Sequence, residues 1–237
     1  MGAPCTPNRR KNSGRLAPED GNGANNRDDS TDMPPEICFA FLDCEFGGLD
    51  VERHDLTEVG IILTDYRLVE FAEAQWRVRA RPERISAEAA EIFGYDEELW
   101  SKAPPVRQVL TEICDMLPDD RIVVPAGQNV RMDVIFLERA FKNCEMPYPF
   151  DYHVVDLATL FYSWSLVIGE RVKSLSLRQA ATEAGLLHGD TVRHRALADA
   201  RLTLETFRHY IGRLAPRDLS EVIEPAEEPA PPADGSP

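Results

Sequence analysis

Three short apolar runs constrain this chain more than any other feature: ICFAFL at residues 37–42, VGIILT at 59–64 and IVVPA at 122–126. Each is too short for a buried helix and is rich in β-branched or aromatic residues, so each reads as a strand buried on both faces. The first ends in acid, at Asp43. A third strand in chain order is expected within Leu68–Ala80. Its alternation is cleanest at the end, with Trp76, Val78 and Ala80 on one face and Arg77 and Arg79 on the other. Pro125 lacks a ladder donor and suggests that the IVVPA strand runs along an edge or a bulge.

Segments of helical period separate the strands. Ile85–Phe93, Val106–Leu117 and Met132–Phe141 space their apolar residues as helices do. Val154–Asp156 reads as a brief strand running into a helix from Leu157 to Ile168. Ser174 or Ser176 caps the next helix, which ends near Gly185 as a C′ glycine. A last helix runs from about His194 to Leu214. Such an alternation predicts an α/β domain, a central mixed β-sheet flanked by helices on both faces.

Composition places that domain between two tails. Residues 1–35 hold five basic and five acidic groups with little apolar periodicity, and read as a disordered leader. Residues 215–237 hold one basic and six acidic groups and six prolines, and read as a disordered acidic tail. The folded domain is expected at 36–214. It carries 20 basic against 30 acidic groups, within a chain of net charge −15. An acidic surface is a poor generic binder of long duplexes, and it favours a local, metal-assisted grip on a strand end. The five cysteines form no CxxC pair, which argues against zinc and for a reducing, cytoplasmic setting. No apolar run approaches the ~18–20 residues of a membrane-spanning helix, so no membrane association is expected. Met1-Gly2-Ala3-Pro4-Cys5-Thr6 fits the lexical myristoylation pattern, but that pattern is short and degenerate and is not taken as an anchor.

Four acids and one histidine carry the chemistry. Asp43 and Glu45, at i and i+2 of a strand, point to one face and can meet one metal. Cys44 between them points to the opposite face, into the core. Asp133 follows a strand and the turn Gly127-Gln128-Asn129, on the first turn of a helix, where it is aimed at the end of the sheet. Asn129 itself is either a helix cap or a contact for substrate. His194 and Asp199 lie about 140° apart by helix geometry. They converge only if His194 precedes the helix and Asp199 sits one turn in. An imidazole of ordinary pKa, ~6.5, is suited to act as general base near neutral pH.

These segments resemble the three motifs of the DnaQ-like, DEDDh family of 3′→5′ exonucleases. FLDCEFGGLD resembles the first, with LTEVGIIL where the family has its Glu-Ile-Gly strand. GQNVRMDVIFL resembles the second and HRALADA the third. The likeness spans residues 37–210 and implies a ribonuclease H-like three-layer fold. It also implies roles: Asp43, Glu45, Asp133 and Asp199 as ligands of two Mg²⁺ or Mn²⁺ ions, and His194 as general base. Leu49 would wedge against the terminal base, with Phe46 stacking nearby and Asn129 at the substrate. Gln128 stands where many members have histidine, and Phe46-Gly47 where many have small hydroxyl residues.

The expected activity is metal-dependent removal of nucleoside 5′-monophosphates from single-stranded DNA or RNA 3′ ends. Two alternatives remain at this level: a non-catalytic nucleic-acid-binding or scaffold protein on the same fold, and a hydrolase of very short oligonucleotides. Several members of the family it resembles are homodimers, and the tails are candidate segments for recruiting a partner protein.

Overall fold

The computed structural model describes residues 36–187 and 195–214. The expected leader, the expected tail and His194 lie outside them. Five strands form one sheet, β1 (Ile37–Phe46), β2 (Leu56–Thr64), β3 (Glu70–Arg77), β4 (Ile122–Gly127) and β5 (Val155–Asp156). The helices are α1 (Ala87–Phe93), α2 (Glu97–Ser101), α3 (Val106–Met116), α4 (Arg131–Asn143), α5 (Leu157–Val167), α6 (Leu177–Glu183) and α7 (Ala196–Leu214). The strand order is β3-β2-β1-β4-β5. β1 pairs antiparallel with β2 and parallel with β4, so the sheet is mixed, as the alternation of elements predicts.

β1 sorts the core into two halves. Its even residues Cys38, Ala40, Leu42 and Cys44 pack against Val109, Leu110 and Ile113 of α3 and Phe136, Leu137 and Phe141 of α4. Its odd residue Phe41 packs on the other face with Phe161 of α5 and Ala200, Leu204 and Phe207 of α7. This is the period of two expected of a strand buried on both sides. Each fully buried Leu, Ile or Phe contributes about 1.5–3 kcal/mol of transfer free energy, so the even and odd sets together lock the register. Asp43 and Glu45 continue the odd set and therefore face α7.

Gly60 makes that face close-packed. It stands opposite Asp43 in the β1–β2 ladder. A Cβ there would come within 2.3 Å of Leu197 N and 2.5 Å of the Ala196 carbonyl carbon. The absence of a side chain lets the first turn of α7 rest on the sheet backbone.

Several boundaries differ from expectation. β1 runs three residues beyond Asp43, which places Glu45 inside the strand. β3 occupies the earlier, charged part of its segment, exposing Phe71, Glu73 and Gln75 and turning Ala72, Ala74 and Trp76 inward. Val78 and Ala80 are buried as expected, but past the strand end, where Ala80 caps a small cluster with Phe93 and Trp100. The short α2 had no clear periodicity to announce it. Pro125 lies within an internal strand rather than at the sheet edge. It shares a side with Val123, whose carbonyl accepts from Asp151 N–H, and β5 pairs on that side only from Ala126 onward. The missing N–H thus costs no ladder bond. Ser176 caps α6, accepting from Gln179 N–H, and Gly185 follows it at φ 72°. Among the described residues no helix is long and apolar enough to cross a membrane.

Candidate active site

The site forms where β1 outruns β4. The β1–β4 ladder stops at Phe41–Ala126. Beyond it the Cys44 N–H donates instead to Asp133 Oδ1, at 2.8 Å, so a side chain from α4 completes the hydrogen bonding of the strand. Asp133 is buried on the first turn of α4. Its position depends on a second carboxylate. Asp156 Oδ2 accepts from Val130 N–H at 3.0 Å while Oδ1 caps α5 through Ala158 N–H at 2.8 Å. One side chain thereby ties the turn before α4 to the start of α5. Asn129 adopts a left-handed φ of 54° in that turn and is exposed. It provides no side-chain cap to α4, whose N-cap position is Val130. Gln128 donates through Nε2 to the Leu175 carbonyl at 2.7 Å.

On the odd face of β1, Asp43, Glu45 and Asp199 place one carboxylate oxygen each within 4.8 Å of one another. Asp199 is delivered by the first turn of α7, whose approach Gly60 permits. Asp133 stands beside this trio from the α4 side rather than within it. Its charge is the first among the neighbouring carboxylates to raise Asp43.

Electrostatics show what the cluster lacks by itself. Burial, and then the charges of Asp133, Asp199, Glu45 and Glu58, hold Asp43 well above the usual carboxylate range. Burial, followed by Asp199 and Glu58, lifts Glu45 to about 8. Burial lifts Asp133 to about 7, against the pull of the Cys44 N–H. Converging carboxylates with too little positive charge nearby are ionised readily only when a cation joins them. The donors are all carboxylate oxygens, which suit hard cations such as Mg²⁺ or Mn²⁺. Cys44 does not compete for such an ion. Burial and the charges of Asp133 and Asp43 hold its thiol well above its ordinary pKa, and it packs in the core.

The two apolar candidates differ. Leu49 is 79% exposed, at the loop after β1. Phe46 is half-buried and stacks on Phe136 of α4, centroids 4.1 Å apart. One face of its ring is therefore already committed to the protein.

Glu58 is a further buried acid beside the trio, one that no motif of the sequence singles out. It is 2% exposed and stands opposite Glu45 in the β1–β2 ladder. Its Oε1 accepts from Ala196 N–H at 3.2 Å and from Gln75 Nε2 at 2.6 Å, with Arg195 Nε 3.7 Å away. The signal was an acid inside the otherwise apolar LTEVGIIL. Asp156 was equally legible only as the end of a brief strand.

A family model described as exonuclease (RNase T) matches residues 40–207. The chain belongs to this exonuclease family. A DNA polymerase III of PolC type from Thermotoga petrophila is 28% identical over 193 residues, covering 78% of this chain and 13% of the relative. The 3′-5′ exonuclease DinG of Staphylococcus aureus is 26% identical over 167 residues, covering 70% of this chain and 17% of the relative. The chain thus spans less than a fifth of the length of these curated relatives. Among solved structures, the zinc-bound complex of Escherichia coli ExoI with single-stranded DNA superimposes with a TM-score of 0.62 at 17% identity, covering 79% of this chain and 43% of that one. The nuclease domain of 3′hExo, a DEDDh family member bound to rAMP, does so with a TM-score of 0.59 at 16% identity, covering 76% and 92%. The fold is ribonuclease H-like, and the exonuclease family to which the chain belongs generally uses divalent metal ions.

Proposed function

We propose that this exonuclease domain, spanning residues 36–214, removes nucleoside 5′-monophosphates from the 3′ ends of single-stranded DNA or RNA, with two Mg²⁺ or Mn²⁺ ions held by Asp43, Glu45, Asp133 and Asp199. The observation that carries the reading is the convergence of Asp43, Glu45 and Asp199 within 4.8 Å, from two elements far apart in the chain. When bound, such ions polarise the scissile phosphate and make a bound water acidic enough to attack. The protein's own part is positioning. Asp43 and Glu45 hold their oxygens on one face of a strand whose register two core halves enforce. Asp199 meets them because α7 rests on Gly60. Asp133 is held by the Cys44 N–H, next to the trio.

His194 is the general base in this reading and takes the proton of the attacking water through its imidazole. Glu58 supports it indirectly, by tethering Ala196 two residues later. Leu49 wedges against the terminal base, Phe46 presents the ring face left by Phe136, and Asn129 meets the strand from the turn before α4. Stacking on apolar and aromatic side chains is tolerant of sequence, so the end is recognised as an end rather than as a particular base.

The test is digestion of matched 5′-labelled single-stranded DNA, RNA and duplex, with Mg²⁺ or with EDTA, and products identified by mass. Stepwise release of 5′-monophosphates from single strands, abolished by EDTA and by Asp43→Ala, is expected. Undiminished Mg²⁺-dependent cleavage by folded Asp43→Ala would remove the proposal, as would intact substrate with the wild type.

A further inference from the structure

Behind the loop that carries Leu49 lies a cleft of about 380 Å³, within the roughly 300–1,000 Å³ of small-molecule sites. Its floor is apolar and includes Val78, Val106 and Phe136; its lining also includes Arg79, Arg81, Arg84, Arg139 and His54. Four arginines around one hollow are unexpected in a domain with 30 acidic and 20 basic groups. Their local partners do not balance them. Asp55 is shared by Arg81, at 2.9 Å, and Arg84, at 2.6 Å, and Glu52 pairs with Arg139. Arg79 donates to the Ala103 carbonyl. Arg139 Nε is buried without a hydrogen-bond partner, a donor that an incoming acceptor would satisfy. His54 Nδ1 accepts from Asp50 N–H at 3.1 Å, which leaves Nε2–H as a further donor.

The cleft reaches the end of β1 through one pair of rings. Phe136 lines it and also stacks on Phe46, directly after the metal-binding segment of β1. α4 carries Asp133 on its first turn and Arg139 six residues later, about 9 Å along the helix axis. The loop from Gly47 to Asp55 carries exposed Leu49 and, a few residues on, the cleft residues Val51, His54 and Asp55.

We infer that this cleft is an upstream nucleotide subsite, where the apolar floor takes a base and Arg81, Arg84 and Arg139 hold the flanking backbone phosphates of the substrate strand. The inference rests on the exonuclease reading for the strand's direction. Arginine forks fit phosphate oxygens, and a low-polarity floor beneath them suits any base. Phosphate grip is thereby local, and the rest of the acidic surface repels the strand.

The experiment compares the wild type with Arg81→Ala, Arg139→Ala and the double variant, each checked by far-UV circular dichroism and thermal melting. Neither arginine belongs to the metal site. Turnover is measured on a single-stranded ten-mer and on the p-nitrophenyl ester of thymidine 5′-monophosphate, which is too short to reach the cleft. Binding of a labelled ten-mer in EDTA is followed by anisotropy across a salt series. In the double variant, KM for the ten-mer and its Kd in EDTA rise at least tenfold, with KM for the ester within twofold of wild type. The slope of log Kd against log salt falls by about 0.7 for each phosphate contact removed. Wild-type affinity, KM and salt slope in a folded double variant would overturn the subsite. So would a thermal stabilisation by inorganic phosphate that the double variant loses while its ten-mer binding stays intact, because the cleft would then hold a free phosphate. A wild type that cleaves neither substrate defeats the exonuclease reading alone, and the anisotropy arm still judges the cleft.

Discussion

At the residue scale, the carboxylates divide into those that gather charge and those that place it. Asp43 and Asp199 belong to the first kind, and alanine at either is expected to lower kcat by at least about 10³-fold with an unchanged circular dichroism spectrum. Glu58 belongs to the second. Its buried carboxylate accepts from Ala196 N–H and Gln75 Nε2. Glu58→Ala leaves these donors without an acceptor and costs about 1–3 kcal/mol in urea unfolding. Glu58→Gln keeps an acceptor oxygen and recovers most of that stability. A Glu58→Ala protein as stable as the wild type would mean that the tether at the start of α7 carries no weight. Asp43 and Glu45 were legible because i, i+2 spacing on a strand is a local property. Glu58 was not singled out, because its role depends on a helix nearly 140 residues away.

At the element scale, the contact between β2 and α7 decides whether the site assembles. Gly60 is the point of closest approach, and a methyl group there would strike backbone atoms of Ala196 and Leu197 rather than a flexible side chain. Gly60→Ala is therefore expected to destabilise by about 1–3 kcal/mol through overpacking. Its activity falls further than its stability accounts for, by about 10²-fold, because Asp199 is carried away from Asp43 with the helix. Normal kcat in that variant would place the source of site geometry elsewhere. Asp156 is the corresponding joint on the other side, capping α5 and holding the turn before α4. Loss of a cap of this kind costs about 1 kcal/mol, and Asp156→Ala should also weaken metal binding by loosening Asp133. Isothermal titration with Mn²⁺ checks the second effect.

At the scale of the whole molecule, the buried acids tie the stability of the fold to pH. Glu45 is lifted from 4.5 to about 8, so the folded metal-free protein holds its proton more tightly than the unfolded chain does. Such a group stabilises the fold below its unfolded pKa and loses that contribution as the pH rises through the folded value. Asp43 and Asp133 shift in the same direction. The melting temperature of the metal-free protein should fall between about pH 4.5 and 8, and added Mg²⁺ should stabilise it increasingly over the same interval. A chelated protein with a flat or rising melting temperature there would contradict the mutual repulsion of the carboxylates. The arginine cleft shows the complementary arrangement, with basic groups concentrated in one place while the chain as a whole remains at −15.

The sequence by itself determined the mixed α/β class and where most strands lie, and it singled out the candidate carboxylates, because these rest on periodicities of two and 3.6 residues and on acids placed where strands and helices end. Only the tertiary structure decided that Asp133 hydrogen-bonds β1 beside the trio, that Glu58 tethers α7, that Phe46 spends a ring face on Phe136, and that four arginines share one hollow. Each of those depends on segments distant in the chain meeting at a particular register, and close packing across a sheet sets that register where no local pattern can.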